Sequence, residues 1–589
     1  MPLNEPIQIV ELWQPRCALR FGVSPCTATT ADGPKCYNCW GTCLDRANYD
    51  GSGSIAWRFV KPIQQFLPYY SESGEDIKTN AIPMLTGVSS RSSKINVGSI
   101  RDGEKPLGVT GGVSITLKDA PFDDFVGDYY KADRTFSGGN FWAKWAARNP
   151  FFANMYLRVY EGTSDQTIAQ MTERLFILDN VTGPNSDGSV TLTGVDPLRL
   201  TDNARAQFPR ETNIQLNGAI TDTATSISVI ATEEVDLSDA FGNTTTDYLI
   251  VGSEIIGYTG YSGGTDNIWS LSGVVRGQLG TTAASHSDGD GVQRVGRYAT
   301  MDAWAIANDM IVNHTEIPAS FINYTNWTTE AVAYLAGYSF SRTVTKPTAV
   351  NALLGELMRD GTFYIWWDEE NQTIPLKAMR PEITQHSITD NAQIVAGSLS
   401  MRREPDERIS RIFVYFDQID PTKGDDPTNF RTMQGRVNAD VENADAGAEL
   451  RSKTIYSKWI TTDAQAVELT QRMLDRYGYS PRYMSVRMID ASFEIGQIVN
   501  VTSRVDIDTE GREKTLRWQI ISAQAVKAGE CIEYQLQEFL YQATRYSFWT
   551  ADAEVDYASA TEEDRYYGKA WYSGADGLMG DGTTGYLWQ

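Results

Sequence analysis

Residues 174–198, RLFILDNVTGPNSDGSVTLTGVDPL, hold two apolar runs divided by a turn. Arg174–Val181 and Gly188–Leu198 each read as a strand with a polar stop. The stretch Pro184–Gly188 between them supplies Asn and Gly where the backbone must turn to positive φ. GVSITLKD (Gly112–Asp119) and MYLRVYEG (Met155–Gly162) follow the same grammar. Together these runs predict a small β-barrel or sandwich over residues 81–212.

The same reading extends along the chain. Residues 213–296 alternate in TATSISVIA, TDYLIVGSEIIGYTG and NIWSLSGVVRGQLGT, with Gly and Asp between runs, which predicts an inserted β module. That module carries ten acidic residues against two basic ones, Arg276 and Arg294, as a solvated outer face would. Residues 297–395 contain the clearest helix. Val350, Leu353, Leu354, Leu357 and Met358 form one stripe between Pro347 and Gly361. TFYIWWDEENQTIPLKAM then reads as a hairpin turning at Glu369–Gln372, with Trp366 and Trp367 as core or interface anchors rather than sugar platforms. Residues 396–545 form a last β domain with one helix, opened by a possible capping box at Thr462 and Gln465 and closed at Gly478. Residues 54–80 read as a connecting arm, opening with the β-leaning SIAWRFVKPIQQFLPYY (Ser54–Tyr70) as an arm or strand. Residues 546–589 carry ten aromatics without periodicity, an extension suited to anchoring in a neighbour's grooves.

The chain has 589 residues, 41% of them hydrophobic, which is core enough to exclude wholesale disorder. It is mainly β with a few helices and divides into several domains. A net charge of −24 and the absence of any basic run argue against stable nucleic-acid binding. No run of 18 apolar residues occurs, so no membrane span is expected. MPLNEPIQIVELWQPR lacks the basic and apolar regions of an export signal, which predicts assembly in a cytoplasm.

Five of the six cysteines, Cys17, Cys26, Cys36, Cys39 and Cys43, fall in one short segment, and Cys531 stands alone. An odd cluster in a reducing compartment is a poor disulfide framework and a good metal-ligand set. Residues 1–53 therefore read as a cysteine-rich metal lobe. Zinc favours two close pairs, and Cys17 and Cys26 are far apart for that. An iron–sulfur cube tolerates long loops, since each thiolate binds a different iron. An iron–sulfur cluster, zinc and unliganded cysteines all remain open on the residues alone. Cys531, in CIEYQLQEF, reads as an ordinary core residue.

RCALRFGVSPC (Arg16–Cys26) followed by KCYNCWGTCLDRANYD (Lys35–Asp50) resembles the cluster-binding segment of tail-tip (baseplate) hub proteins. These hubs occur in long-tailed, lambda-like bacteriophages and gene transfer agents. In that family two pairs, C-x8-C and C-x6-C, hold a [4Fe-4S] cluster. The resemblance implies Cys17, Cys26, Cys36 and Cys43 as ligands. Cys39 stands where the family commonly has threonine, and is the fallback ligand. DAPFDDFVGDYY and GPNSDGSVTLTGVDPL are similar to the first hub barrel, RGQLGTTAASHSDGDGV to a segment that closes small modules in tail proteins, and FEIGQIVNVTS to the closing barrel. The resemblance further implies a homotrimer in the virion, with the distal tail ring protein, the tape-measure C-terminus and a central fibre or spike as partners.

No enzyme is expected. His286, His314 and His386 lie in separate segments, and HExxH, G-x-S-x-G, Walker A and helix-opening GxGxxG motifs are missing. Asp119, Asp123, Asp124 and Asp128 are the densest acids, and read as a solvated loop rather than a catalytic pair. Two other functions stand beside the structural hub: an iron–sulfur redox protein, which would need a second redox centre, and a wall- or glycan-binding tail component, which would need an acid pair in a cleft.

Overall fold

The computed structural model describes residues 6–62, 81–91, 93–97, 106–109, 111–124, 127–136, 138–163, 166–231, 247–263, 267–337, 339–380, 386–390, 392–439, 442, 450–489, 493–527, 531–539, 547–549 and 586–588. It is mainly β. Most of the expected connecting arm and C-terminal extension, and residues 232–246 of the inserted module, lie outside the described residues.

The first sheet is built from β1 (Pro6–Arg16), β2 (Gly53–Val60), β3 (Ala81–Ile82), β4 (Leu85–Arg91), β6 (Gly112–Lys118), β7 (Tyr156–Thr163), β8 (Thr172–Thr182) and β9 (Ser189–Val195). β5 (Ser93–Lys94) leaves it for another sheet. The order is β3-β2-β1-β7-β8-β9-β6-β4, antiparallel except for β2 with β3. The turn expected at Pro184–Gly188 joins β8 to β9, with Asn185 and Gly188 bonded back across it. Alternating residues (Leu12, Phe59, Ile115, Leu157, Leu192) form its core with Phe141, Trp142 and Trp145 of α1 (Phe141–Arg148).

Two expected boundaries cut across this sheet. β1 and β2 are central members of it, so residues 1–53 are not a lobe apart, and the arm begins as a sheet strand. Period-two alternation can mark a strand, but it says nothing about which strand is the neighbour.

Seven strands lying between Ile214 and Arg294 form a second sheet with its own core of Leu216, Val229, Leu249, Ile256, Tyr258 and Leu271. Its closing loop is tied by fully buried Glu254. Arg276 donates to it at 2.6 and 2.8 Å, His286 Nε2 lies 2.8 Å away, and the Gly277 and Ala284 amides add 2.9 and 3.1 Å bonds. Burial opposes that charge, yet these donors hold the carboxyl down at about 2. His286 is thus a structural residue of this module.

The expected helix is Val350–Asp360, with all five stripe residues buried. The hairpin pairs Phe363–Ile365 with Leu376–Ala378, and Trp367 is core. The helix Asp463–Tyr477 buries Ala466, Leu469 and Met473 in the same core, which also takes Ile412, Val414 and Phe416 from the three-stranded sheet of Arg411–Gln418, Phe430–Val437 and Ser452–Tyr456. The boundary at 395 therefore runs through a continuous core. The capping box is also corrected. The Thr462 hydroxyl bonds the Gln465 side chain rather than a backbone amide, and Gln465 turns to the Ser339 carbonyl.

The last sheet joins Arg482–Ile489, Ile498–Ile507, Glu513–Lys527 and Cys531–Glu538 to His386–Thr389, Ser400–Arg403 and β5. Gln524 donates to the Ser90 carbonyl at 2.7 Å, so the first and last β units are stitched together. Cys531, expected in the core, is only half-buried.

Two acids meet where the hairpin touches the first sheet. Asp196 Oδ2 accepts the Gly111 N–H at 2.7 Å, and its Oδ1 is buried with no hydrogen-bond partner among the described residues. A Cβ on Gly111 would lie 2.7 Å from Glu369 Oε1. Burial pushes both carboxyls up to about 7. At Glu369, Arg174 opposes the rise while Asp196, Glu370 and Asp368 add to it. A raised acid pKa gives stability that is complete below the unfolded value near 4 and is lost as pH rises through 7. The thermal midpoint should fall from about pH 4 to about pH 7 and level off above that. Asp196→Asn with Glu369→Gln should flatten that fall; an unchanged slope in scanning calorimetry would show that the pair does not titrate there.

Candidate metal centre

The cysteine segment is an excursion from a closed ladder. β1 ends at Arg16, paired with Gly53 of β2, so residues 17–52 leave and return between adjacent strands. Almost none of this segment is buried: Ala28, Asn38 and Cys39 are the exceptions. Polar contacts hold it instead. The Cys17 amide donates to the Asn38 carbonyl at 2.7 Å, and the Asn38 side-chain amide returns bonds to the Cys17 and Leu19 carbonyls at 3.3 and 3.1 Å. Asn38 adopts φ 56°, a left-handed conformation that asparagine tolerates. Asp45 accepts both the amide and the hydroxyl of Thr27, which fixes the turn after Cys26 against the turn after Cys43.

Cys17, Cys26, Cys36 and Cys43 are free and half-buried. They are one another's electrostatic neighbours: Cys36 feels Cys43, Cys26 and Cys17, and Cys43 feels Cys17 and Cys26. Burial, then crowding by these thiols, pushes Cys36 and Cys43 up against the pull of backbone amides. Without a cation both stay neutral thiols at pH 7.

Cys39 is different. It is 3% exposed, its thiol donates to the Arg148 carbonyl at 3.0 Å, and it lies 3.1 Å from the Thr42 hydroxyl. It is a packing residue of the seam between the segment and α1. A cavity of about 30 Å³ beside it, lined by Arg16, Tyr37 and Arg148 among others, has room for about one water. Gly41 permits this seam, since a Cβ there would lie 2.5 Å from Pro150 and 2.7 Å from the Arg148 carbonyl.

The seam is an ionic clamp. The guanidinium groups of Arg134 and Arg148 lie 3.9 and 3.8 Å from the centre of the Tyr37 ring. Arg134 donates to the Cys36 carbonyl at 2.9 Å and to the Lys35 carbonyl, and is held by Asp128 at 2.9 and 3.1 Å. Arg148 makes a bidentate pair with Asp124 at 3.0 and 2.8 Å, and Lys144 joins it at 2.9 Å. Burial works to raise the Asp124 pKa, but these cations overcome it and hold the carboxyl below its usual range.

This corrects the solvated-loop expectation for the acidic group. Asp123 is exposed, but Asp124 and Asp128 are buried and paired, and Asp119 bonds the Trp142 amide near the start of α1. The residues missed were Tyr37, Arg134, Lys144 and Arg148. One signal was present. Lys144 and Arg148 are four apart on a short run whose Phe141, Trp142 and Trp145 mark an apolar helical face.

Among the described residues, no three His, Cys, Asp or Glu side chains are grouped closely enough for a single metal ion. His314 lies beside Asp309, and the His386 ring packs on Phe493, both remote from the thiols in sequence. No helix among the described residues is long and apolar enough to cross a membrane.

No protein-family model and no curated protein matches the chain. Solved structures do resemble it in chain path. The 43 kDa tail protein of prophage MuSo2 from Shewanella oneidensis is 10% identical, with 77% of this chain and 97% of that chain covered at a TM-score of 0.37. A tail protein from Neisseria meningitidis is 9% identical, covering 77% and 91%, at 0.35. A chain of a native gene transfer agent virion is 13% identical, covering 56% and 86%, at 0.31. Likenesses at this level do not identify the chain.

The clamp should be measurable. Arg134→Ala leaves buried Asp128 without its cation and should cost roughly 3–5 kcal/mol of stability in the first β unit. Limited proteolysis should then cut within residues 17–52 before the rest of the chain. Cleavage at the wild-type rate would show that the clamp does not hold the segment.

Proposed function

We propose that this chain is a structural, non-enzymatic virion protein of a phage-type tail, the hub at the distal tip, and that Cys17, Cys26, Cys36 and Cys43 hold a [4Fe-4S] cluster that staples the N-terminal segment. The observation that carries the reading is the sorting of the five cysteines. The four that match the hub motif are mutual neighbours with free thiols, while the fifth is spent on a backbone carbonyl of α1. The wide sequence spacing of Cys17 and Cys26 favours a cube over zinc. A single zinc draws its sulfurs to within about 4 Å of one another, whereas a cube binds each thiolate at a different iron.

The donor set fits the group: four thiols on loops that lack a core of their own. When bound, the cluster supplies covalent cross-links between loops otherwise joined by hydrogen bonds. The chain's own part is to present the thiols from a fixed ladder and clamp. In this reading the chain is a homotrimer. It meets the distal tail ring protein and the tape-measure C-terminus on one side and a central fibre or spike on the other.

Iron, zinc and acid-labile sulfide on protein purified without oxygen test the cofactor. About four irons and four sulfides per chain with a broad brown absorption are expected. One zinc and a colourless sample would make the segment a zinc staple. Cys26→Ser or Cys43→Ser should abolish metal retention and yield defective tails, whereas Cys39→Ser should keep both. Loss of the metal from Cys39→Ser alone would overturn the ligand assignment.

A further inference from the structure

Arg16 is the last residue of β1 and directly precedes Cys17. It is 4% exposed. Its guanidinium donates to the Tyr37 carbonyl at 3.5 Å and lies 4.5 Å from the centre of the Tyr129 ring. Among the described residues no carboxylate forms an ion pair with it. Asp128, an acid that acts on it electrostatically, is bound to Arg134. Burial opposes its charge, and Tyr129, Cys39, Asp128 and Cys36 support it, in that order.

A buried guanidinium with one long hydrogen bond and no carboxylate is costly, and a neutral side chain of similar length would pack there more cheaply. Neutral thiols do little to compensate it. Four metal-bound thiolates would, because ligation removes their protons and leaves the site anionic. Arg134 and Arg148 cannot serve in its place, since Asp128 and Asp124 already neutralise them.

We propose that Arg16 is the built-in counter-charge of the thiolate centre, a positioning residue whose unpaired cation is satisfied only when the metal is bound. This rests on the four-thiolate reading above. It separates Arg16 from the clamp, which holds the segment whether or not metal is present.

The test uses the full chain purified without oxygen as wild type, Arg16→Gln and Arg16→Lys. Three quantities are read: the rate of iron release to a ferrous chelator, the midpoint potential in a dithionite titration, and the thermal midpoints of loaded and metal-stripped protein. Arg16→Gln should release iron about tenfold faster, the lower end of what losing an outer-shell partner costs. Its potential should move negative, because the removed cation favours the more reduced, more anionic state. Arg16→Lys should lie between the two. The metal-stripped Arg16→Gln protein should be no less stable than wild type. Wild-type release and potential in Arg16→Gln would overturn the proposal, as would a loss of stability equal in loaded and stripped protein. If the wild type carries zinc, the cluster reading fails by itself and Arg16 is judged on zinc release, with an unchanged rate overturning it. A wild type without any metal overturns both.

Discussion

The ladder between Arg16 and Gly53 fixes both ends of a segment that cannot hold itself together. Ordering residues 17–52 costs on the order of tens of kcal/mol in backbone entropy, and burial returns little, because only Ala28, Asn38 and Cys39 are covered. Anchoring the ends in the middle of a sheet removes part of that cost, since the loop is closed by strands that the sheet core already stabilises. What remains has to come from strong, specific contacts. Hydrogen bonds contribute about 1 kcal/mol each, a buried ion pair costs several when broken, and a structural metal contributes on the order of ten. The ranking explains why the segment is held by a clamp of buried ion pairs.

Arginine rather than lysine suits the clamp for geometric reasons. Arg148 uses both terminal nitrogens on Asp124, and Arg134 uses its side and end nitrogens on Asp128 while also reaching the Cys36 carbonyl. The planar groups lie against Tyr37, where an ammonium would gain less and keep more of its water. Tyr37 directly follows a ligand candidate, Cys36, so the clamp fixes the backbone from which that thiol projects. Cys39 reinforces the same seam through the Arg148 carbonyl. Its hydrogen bond there is one that a serine hydroxyl could also make.

Much of the secondary structure was legible because it depends on neighbours in sequence. The β8–β9 turn, the stripe of Val350–Met358 and the Glu369–Gln372 hairpin are all local patterns. Partnership was not legible. β5 pairs with Ser522 and Ala523, more than four hundred residues away, and helix Asp463–Tyr477 shares a core with a helix a hundred residues earlier. An alternating run buries one face equally well against many partners, so domain limits drawn from composition fell inside sheets. The candidate site was legible to the same degree. The resemblance singled out four thiols, but Asp124 looked solvated because Lys144 and Arg148 reach it from α1, some twenty residues on, and Asp128 because its bond to Arg134 depends on how the loop between them folds.

Net charge misleads about this site for a similar reason. A chain at −24 would be expected to repel an anionic group, yet Arg16, Lys35, Arg134 and Arg148 all lie at or beside the cysteine segment. Global charge governs solubility and long-range association, whereas a buried site responds to charges within a few ångströms. Three of those cations are already paired, Lys35 with Asp133, Arg134 with Asp128 and Arg148 with Asp124. Their effect on the thiols is therefore largely cancelled by their own partners. Arg16 forms no ion pair among the described residues, and it sits at the last rung of the ladder that also starts the cysteine segment. One position thus couples the sheet, the loop closure and the electrostatics of the centre.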